Sequence, residues 1–163
     1  MARTVKTIPL TQGHVALVNN QDYAQLVCYR WRYFRRPAER TGYAVRTEHV
    51  PRKRTVYMHR EIMHAPKGIE VDHRNHNGCD NQRRNLRLAT KSQQHANRLK
   101  QQSSSRYKGV TWHKATEKWR AQIKVHGKKM HLGLFISERK AADAYQQAAK
   151  QYFGEFACAG VDQ

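Results

Sequence analysis

The sequence predicts an α+β protein, because strand-like and helical patterns alternate along the chain. Three strand-like runs and one long amphipathic helix near the C-terminus predict a three-stranded antiparallel sheet packed on one helix. Upstream, residues 68–101 follow the order strand, long Asn- and Arg-rich loop, strand, helix. A polar, Ser-rich segment at residues 100–106 predicts a linker between domains at 1–99 and 107–160.

The N-terminal part contains several short elements before the Asn-rich loop. Residues 8–18 predict an extended segment with a turn at Gly13, and residues 22–34 predict a short helix that leads into a strand. Residues 42–50 and 54–60 alternate in polarity and predict a strand pair, after which the chain turns helical. Residues 68–73 then predict the short strand that enters the loop.

The C-terminal part shows a different pattern. The runs YKGVTWHK, KWRAQIKV and KKMHLGLF predict three strands, and the short breaks between them suit hairpin turns. In the second run the apolar residues share one face and the basic or polar residues share the other. Residues 137–154 predict a helix, with Ser137 suited to the N-cap and Gly154 to the C-terminal end.

The charge of the chain indicates its partner. Its 31 Lys and Arg against 12 Asp and Glu give a net charge of +19, which favours nucleic acid. Basic residues outnumber acidic ones in both parts, which argues against a basic tail on a neutral enzyme. The sequence shows no basic amphipathic helix and no apolar run of about 18 residues, and either feature would indicate a membrane. Three isolated cysteines without a CxxC pair disfavour a Cys-based zinc site and suit a reducing, intracellular compartment.

The stretch EVDHRNHNGCDNQRRNLRLATKSQQHANR, residues 70–98, holds the candidate chemistry. Phosphodiester hydrolysis needs a base for water and a cation for the developing charge, which one His and one divalent metal supply. A hard metal takes oxygen ligands and keeps several waters, so few protein ligands suffice. Asp72 and His73 end a strand, where only irregular backbone lets neighbouring side chains serve one site. Taken alone, such a pair is common and fits an ordinary basic loop better than an active site.

The order DH, DNQRRNLR, SQQHANR resembles the HNH endonucleases, and most closely their phage- and intron-associated homing-type branch. The resemblance covers about residues 7–98 and implies a ββα-metal fold. It implies that Asp72 is the first metal ligand, His73 the general base, and Asn85 the residue that braces the loop and orients the histidine. Asp80 and Asn81 match a structural pair. The implied cofactor is one divalent ion, Mg²⁺ or Mn²⁺.

One position departs from that pattern. The family usually carries Asn as its second metal ligand nine residues after the middle Asn, and Gln94 stands there in this chain. Glutamine offers the same amide oxygen on a longer side chain. Gln94 therefore either coordinates the metal or misplaces it, and a misplacement of about 1 Å costs roughly a hundredfold in rate.

Residues 107–157 resemble the plant AP-two or ethylene-response-factor DNA-binding domain, through YKGV, KWRAQI, GKKMHLGLF, AADAYQQAA and FGEFA in order. That family lays its sheet in the major groove of DNA. The resemblance implies these DNA contacts: Lys108, Thr111, His113, Gln122, Lys124, Lys129 and His131. Arg120 lies on the same strand face and is a further candidate contact. The resemblance also implies this core: Trp119, Ile123, Leu132, Leu134, Ala142, Tyr145 and Phe153. Thr111, His113 and His131 replace the Arg or Trp of plant members, which leaves the base preference open.

Together these patterns predict a metal-dependent endonuclease of double-stranded DNA with a separate DNA-binding domain. One site per chain favours a monomer that nicks one strand, and a dimer that cuts both is the alternative. No protein partner is implied. A second hypothesis is a sequence-specific DNA-binding regulator with a decayed nuclease site, for which Gln94 is the argument. A third is RNA binding through charge alone, with affinity that falls steeply with salt.

Overall fold

The computed structural model of the protein describes residues 4–37, 39–97 and 104–158. These residues form small antiparallel sheets and four α-helices, so the protein is mixed α and β. The chain divides into two compact units, Met1–Thr90 and Lys91–Gln163. Positions 98–101 of the predicted last N-terminal helix and positions 100–103 of the predicted linker lie outside the described residues. No described helix is long and apolar enough to span a membrane.

The first unit opens with a hairpin. Strand β1 (Val5–Pro9) pairs with β2 (Val15–Asn19), and the turn between them includes Gly13 at a φ of 73°, a backbone conformation that glycine adopts without strain. Helix α1 (Asn20–Leu26) follows β2 directly, and β3 (Arg32–Phe34) comes next. The predicted order of turn, helix and strand is confirmed.

A three-stranded sheet forms the middle of the first unit. Its central strand β4 (Tyr43–Glu48) pairs with β3 on one side and with β5 (Arg54–Tyr57) on the other, which confirms the predicted strand pair. Helix α2 (Met58–Ile62) begins at the residue after β5. Arg46 of β4 forms an ion pair with Glu61 of α2 at 3.1 Å, and this contact fixes the helix against the sheet.

The last strand pair of the first unit encloses the Asn-rich loop. Strand β6 (Glu70–His73) runs antiparallel to β7 (Leu86–Ala89), and Asp72 is the register partner of Arg87. Both β6 and β7 contribute apolar side chains to one buried cluster, which they share with the β1–β2 hairpin and with helices α1 and α2. Its members are Ile8, Leu10, Ala16, Val18, Leu26, Trp31, Ala44, Met58, Ile62, Val71 and Leu86.

The loop between β6 and β7 is tied to the N-terminal hairpin. The Leu17 amide donates to the Cys79 carbonyl at 2.9 Å, and the Asn81 amide donates to the Leu17 carbonyl at 2.8 Å. Arg83 makes a bidentate ion pair with Asp22 of α1, with its shortest contact at 2.7 Å. These bonds satisfy backbone groups that a loop would otherwise leave to water, and they hold the loop in one conformation.

The second unit contains the remaining elements. These are α3 (Lys91–Asn97), β8 (Val110–His113), β9 (Lys118–Val125), β10 (Lys128–Phe135) and α4 (Glu138–Phe153). The three strands form an antiparallel sheet in the order β10-β9-β8. Helix α4 covers its apolar face through small side chains, since Ala141 and Ala142 join Val110 and Ala121 in one buried cluster. Helix α3 contacts α4 within this unit.

A β-bulge in β10 changes which side chains face the core. His131 pairs with Gln122 of β9, and Gly133 pairs with Ala121, so Leu132 is an extra residue between them. Gly133 has a φ of 139°, a region that side chains rarely adopt. The prediction of Leu134 as a core residue is wrong for this reason. Leu134 pairs with Arg120 and is 39% exposed, while Phe135 takes the core-facing position beside Trp119.

Candidate active site and nucleic-acid interface

His73 ends β6 and is buried at 6% exposure. Its Nε2 lies 3.3 Å from Oδ1 of Asn81, and the amide nitrogen of Asn81 donates to the Cys79 carbonyl at 3.3 Å. A carbonyl oxygen only accepts hydrogen bonds, so the bond to Cys79 fixes the orientation of the Asn81 amide. Its oxygen therefore faces His73 and accepts a hydrogen bond from Nε2. The neutral ring carries its hydrogen on Nε2, and Nδ1 has the lone pair that accepts a proton.

The environment of His73 favours this neutral form. Burial lowers the pKa of the imidazole below its ordinary value of 6.5, and the bond to Asn81 and the charges of Asp72 and Asp80 act in the opposite direction. Because the pKa is lowered, the ring is unprotonated at neutral pH. An unprotonated histidine is the form that a general base requires.

Asn85 binds both sides of the loop that precedes it. Its side-chain nitrogen donates to the Asp80 carbonyl at 2.7 Å, and its Oδ1 accepts from the Asn75 amide at 3.0 Å. Asn75 in turn donates to the Asp80 carboxylate at 2.8 Å, as does the Gln82 side chain. Asn85, Asp80 and Gln82 are all buried. The bracing bonds of Asn85 hold the loop itself, while Asn81 is the residue bonded to the His73 ring.

Asp72 contacts a different group from its neighbour. Its Oδ2 accepts bonds from Nε and a terminal nitrogen of Arg87, both at 2.8 Å, across the β6–β7 pair. Both side chains are buried, at 8% and 7% exposure. Burying a carboxylate is costly unless such a partner compensates its charge. Asp72 and His73 therefore make their described contacts with separate groups, as alternation along a strand predicts.

The oxygen donors of this chain suit a hard divalent cation. No group of three or more His, Cys, Asp or Glu among residues 4–37, 39–97 and 104–158 is arranged to hold a metal. Mg²⁺ and Mn²⁺ need fewer protein ligands, since they keep waters and bind carboxylate and carbonyl oxygens. Asp72 offers a carboxylate that Arg87 orients, which is how ligating carboxylates are commonly supported. Gln94, half-buried in α3, offers an amide oxygen.

Two aromatic side chains beside His73 were not predicted as a group. The ring of His59, at the start of α2, lies edge-on to the His73 ring with centroids 5.1 Å apart, and Tyr43 lies 5.8 Å from it. His59 is 7% exposed, and its Nδ1 is buried without a hydrogen bond among the described residues. Neither Tyr43 nor Arg87 was predicted, because Tyr43 reaches His73 from a different sheet and the pairing of Arg87 with Asp72 depends on the register of β6 and β7. The only local signal was the Arg two positions after Asn85.

The polar face of the second unit's sheet carries most of the predicted DNA contacts. By alternation and strand register, seven of the eight share this face: Thr111, His113, Arg120, Gln122, Lys124, Lys129 and His131. Lys124 and Lys129 are register partners at one end and are exposed. His113 is bonded through Nδ1 to Thr116 at 2.8 Å. The face thus combines exposed lysines with half-buried polar groups.

Lys108 lies before β8 and makes a different contact. Its ammonium donates to the backbone carbonyls of His95 at 3.4 Å and Ala96 at 2.5 Å, near the end of α3. A cation at a helix C-terminus satisfies free carbonyls and complements the helix dipole. Lys108 therefore joins α3 to the segment that enters the sheet, and a DNA contact by Lys108 stays a prediction.

Comparisons with known proteins agree with part of this description. Residues 63–96, which include Asp72, His73, Asn85 and Gln94, match a family model described as HNH endonuclease. The "Uncharacterized HNH endonuclease L560" of Acanthamoeba polyphaga mimivirus is 38% identical over 93 residues, which cover 56% of this chain and 47% of that protein. The "AP2-like ethylene-responsive transcription factor TOE2" of Arabidopsis thaliana is 41% identical over 51 residues, 31% of this chain and 10% of that protein.

The chain thus spans less than half the length of these two relatives. No solved structure matches it. The comparisons support an HNH endonuclease segment at residues 63–96, and the likeness to the plant factor is shorter and covers a small part of that protein.

Proposed function

We propose that this protein is a metal-dependent HNH-type endonuclease that hydrolyses phosphodiester bonds of double-stranded DNA, as a homing-type enzyme that nicks one strand. The observation that carries the proposal is His73. It is buried, held by Asn81 in the tautomer whose Nδ1 is basic, and adjacent to Asp72 within the segment that matches the HNH family model. The net charge of +19 supports DNA as the substrate.

Each residue of the proposed active site has a separate role in hydrolysis. Nδ1 of His73 takes a proton from water, and Asn81 holds the ring through Nε2 while the imidazolium forms. Asn85 keeps the preceding loop in place. Asp72 and Gln94 would hold the divalent ion, Mg²⁺ or Mn²⁺. When bound, such an ion neutralises charge on the phosphate and on the leaving oxygen.

The polar face of the second unit's sheet is the proposed DNA-binding surface. Lys124 and Lys129 are exposed and neutralise phosphates, which positions the protein without reading sequence. The half-buried groups at the other end of the face contact base edges in the major groove. One active site per chain suffices for nicking, so the proposed enzyme acts as a monomer without a protein partner.

A plasmid-nicking assay tests the proposed activity. The full chain with Mg²⁺ or Mn²⁺ should convert supercoiled plasmid to the relaxed form, and EDTA should stop it. His73→Ala should lower the rate by at least about a hundredfold, since a positioned base contributes 10²–10⁴-fold. His49→Ala removes an exposed histidine and serves as the matched control. Folding of both variants is checked by circular dichroism. A wild type that binds DNA but never relaxes plasmid would exclude the enzyme.

Gln94 separates the proposed enzyme from its main alternative, a sequence-specific DNA-binding regulator whose nuclease site has decayed. The departure of Gln94 from the family's Asn favours that alternative. In an active enzyme, Gln94→Ala should abolish metal-dependent nicking, and Gln94→Asn should keep or increase it because the amide oxygen is retained. In the decayed protein, only Gln94→Asn would show activity.

A further inference from the structure

The bulge in β10 places an apolar side chain on the polar face of the sheet. Leu134 pairs with Arg120, and Arg120 lies on the opposite face from buried Ala121. Directly opposed residues in an antiparallel pair point to the same side, with Cβ atoms about 4.5–5.5 Å apart. Leu134 therefore stands beside Arg120 on the proposed DNA-binding surface, although simple alternation would bury it.

Leu134 belongs to a row that crosses all three strands. Thr111 of β8 is the register partner of Arg120 on its other side, so the order across the sheet is Leu134, Arg120, Thr111. The next polar positions along β9 and β10 are Gln122 and His131, which pair with each other. We call the set of Leu134, Arg120 and Thr111 the Arg120 row.

Two polar atoms in the Arg120 row have no hydrogen-bond partner among the described residues. Nε of Arg120 and Oγ1 of Thr111 are both buried and make no hydrogen bond to any described part of the chain. Leaving a buried donor or acceptor unsatisfied is costly, and such groups are retained where water or a ligand satisfies them. Two such groups lie on adjacent strands, next to the exposed Leu134.

The chemistry of this row corresponds to the major-groove edge of DNA. Arg forms paired hydrogen bonds to guanine, Thr bonds to several bases, and apolar side chains contact the C5-methyl group of thymine. Strands lie about 4.8 Å apart, which is about 1.4 times the rise of about 3.4 Å per base pair. The side chains of Leu134 and Arg120 are therefore close enough together to reach neighbouring base pairs.

We propose that the Arg120 row reads base identity, with Leu134 packing on a pyrimidine C5-methyl group while Arg120 and Thr111 bond the adjacent base edge. This inference rests on the proposed DNA binding by the second unit. It assigns Leu134 a role in specificity that neither its expected core position nor its sequence neighbours indicate. Thymine and 5-methylcytosine present the same methyl group, so the test must separate them.

The test uses the full chain in EDTA, where metal-dependent cleavage is absent. A duplex pool with a random core is enriched by binding to the wild type. The enriched pool is then remade with dUTP in place of dTTP, or with 5-methyl-dCTP in place of dCTP. Wild type should bind the uracil pool roughly three- to tenfold more weakly if thymine is read. It should bind the 5-methylcytosine pool more tightly by a similar factor if methylated cytosine is read.

Variants assign the effect to Leu134. Leu134→Ala should remove the methyl preference, and Leu134→Met should retain most of it. Val27→Ala, an exposed apolar position of the first unit, should leave it unchanged. Equal wild-type affinity for all three pools, or a preference that survives in Leu134→Ala, overturns the inference while DNA binding stands. Failure to enrich any duplex overturns both the inference and the proposed DNA binding.

Discussion

The two buried histidines of the first unit have similar surroundings and different hydrogen bonding. His73 is bonded to Asn81, while Nδ1 of His59 has no hydrogen bond within the described structure. Burial lowers the pKa of His59 well below its ordinary value of 6.5, and the positive charges of Arg60 and of His73, when His73 is protonated, act in the same direction. His59 is therefore neutral in the folded protein across the physiological range.

The lowered pKa of His59 predicts acid sensitivity of the fold. Below pH 6.5 the unfolded chain protonates this histidine and the folded protein does not, so stability is full above that pH and falls as the pH decreases. The slope from one such group is at most about 1.4 kcal/mol per pH unit. His59→Phe keeps a ring against His73 and removes the titration. Between pH 7.5 and 5, its free energy of unfolding should therefore fall less than that of the wild type.

Urea unfolding at the two pH values measures this difference. His49→Phe, the same substitution at an exposed histidine, is the matched control. An equal loss of stability in wild type and His59→Phe would show that His59 does not carry the effect.

At the scale of elements, the sheet and α4 of the second unit meet through glycine and alanine. A Cβ on Gly109 would lie 2.0 Å and 2.2 Å from ring atoms of Tyr145 and 2.8 Å from the Gln122 carbonyl. Gly109 also has a φ of 72°. The absence of a side chain there lets the tyrosine of α4 pack directly on the segment that enters β8, which keeps the helix close to the sheet.

Gly109→Ala should destabilise the second unit by roughly 2–5 kcal/mol, the sum of backbone strain and overpacking against Tyr145. Gly127→Ala is the matched control, because Gly127 has a φ of 82° but no atom within 4 Å of an added Cβ. It should cost only the strain, about 1–2 kcal/mol. Hydrogen exchange of the β8 to β10 amides measures both. Equal losses in the two variants would show that the contact with Tyr145 contributes nothing.

At the scale of the whole molecule, charge determines how strongly the protein is attracted to DNA. The net charge of +19 is distributed over both units, but a salt-dependent contact requires cations that face the phosphates. The paired Lys124 and Lys129 occupy the polar face of the sheet. Lys150 is exposed on α4, the helix that covers the opposite face.

Lys124→Ala and Lys129→Ala should each weaken DNA binding at every sequence and reduce the slope of log affinity against log salt by roughly 0.9. Lys150→Ala should leave that slope unchanged. Affinity for one duplex is measured by fluorescence anisotropy in EDTA from 50 to 300 mM KCl. A slope that responds as much to Lys150 as to Lys124 would place the DNA elsewhere on the molecule.

Local sequence patterns determined most of the elements. Strands β9 and β10 have the predicted bounds, because their alternation and the hairpin turn between them involve only neighbouring residues. The positions of His73 and Asn85 at the two sides of the Asn-rich loop likewise followed from residue order. Their chemical roles, the metal ligands Asp72 and Gln94, and the base contacts stay predictions.

Only the tertiary structure decided three features. Arg87 pairs with Asp72 because of the register of β6 and β7. His59 and Tyr43 contact His73 because segments farther apart in the chain meet there. Leu134 faces Arg120, because one extra residue in β10 reverses the alternation after the bulge. Periodicity in a sequence records which residues share a face of an unbroken strand. Register, bulges and contacts between distant segments depend on the packing of the whole unit. They determine the surroundings of His73, the proposed general base, and of the Arg120 row.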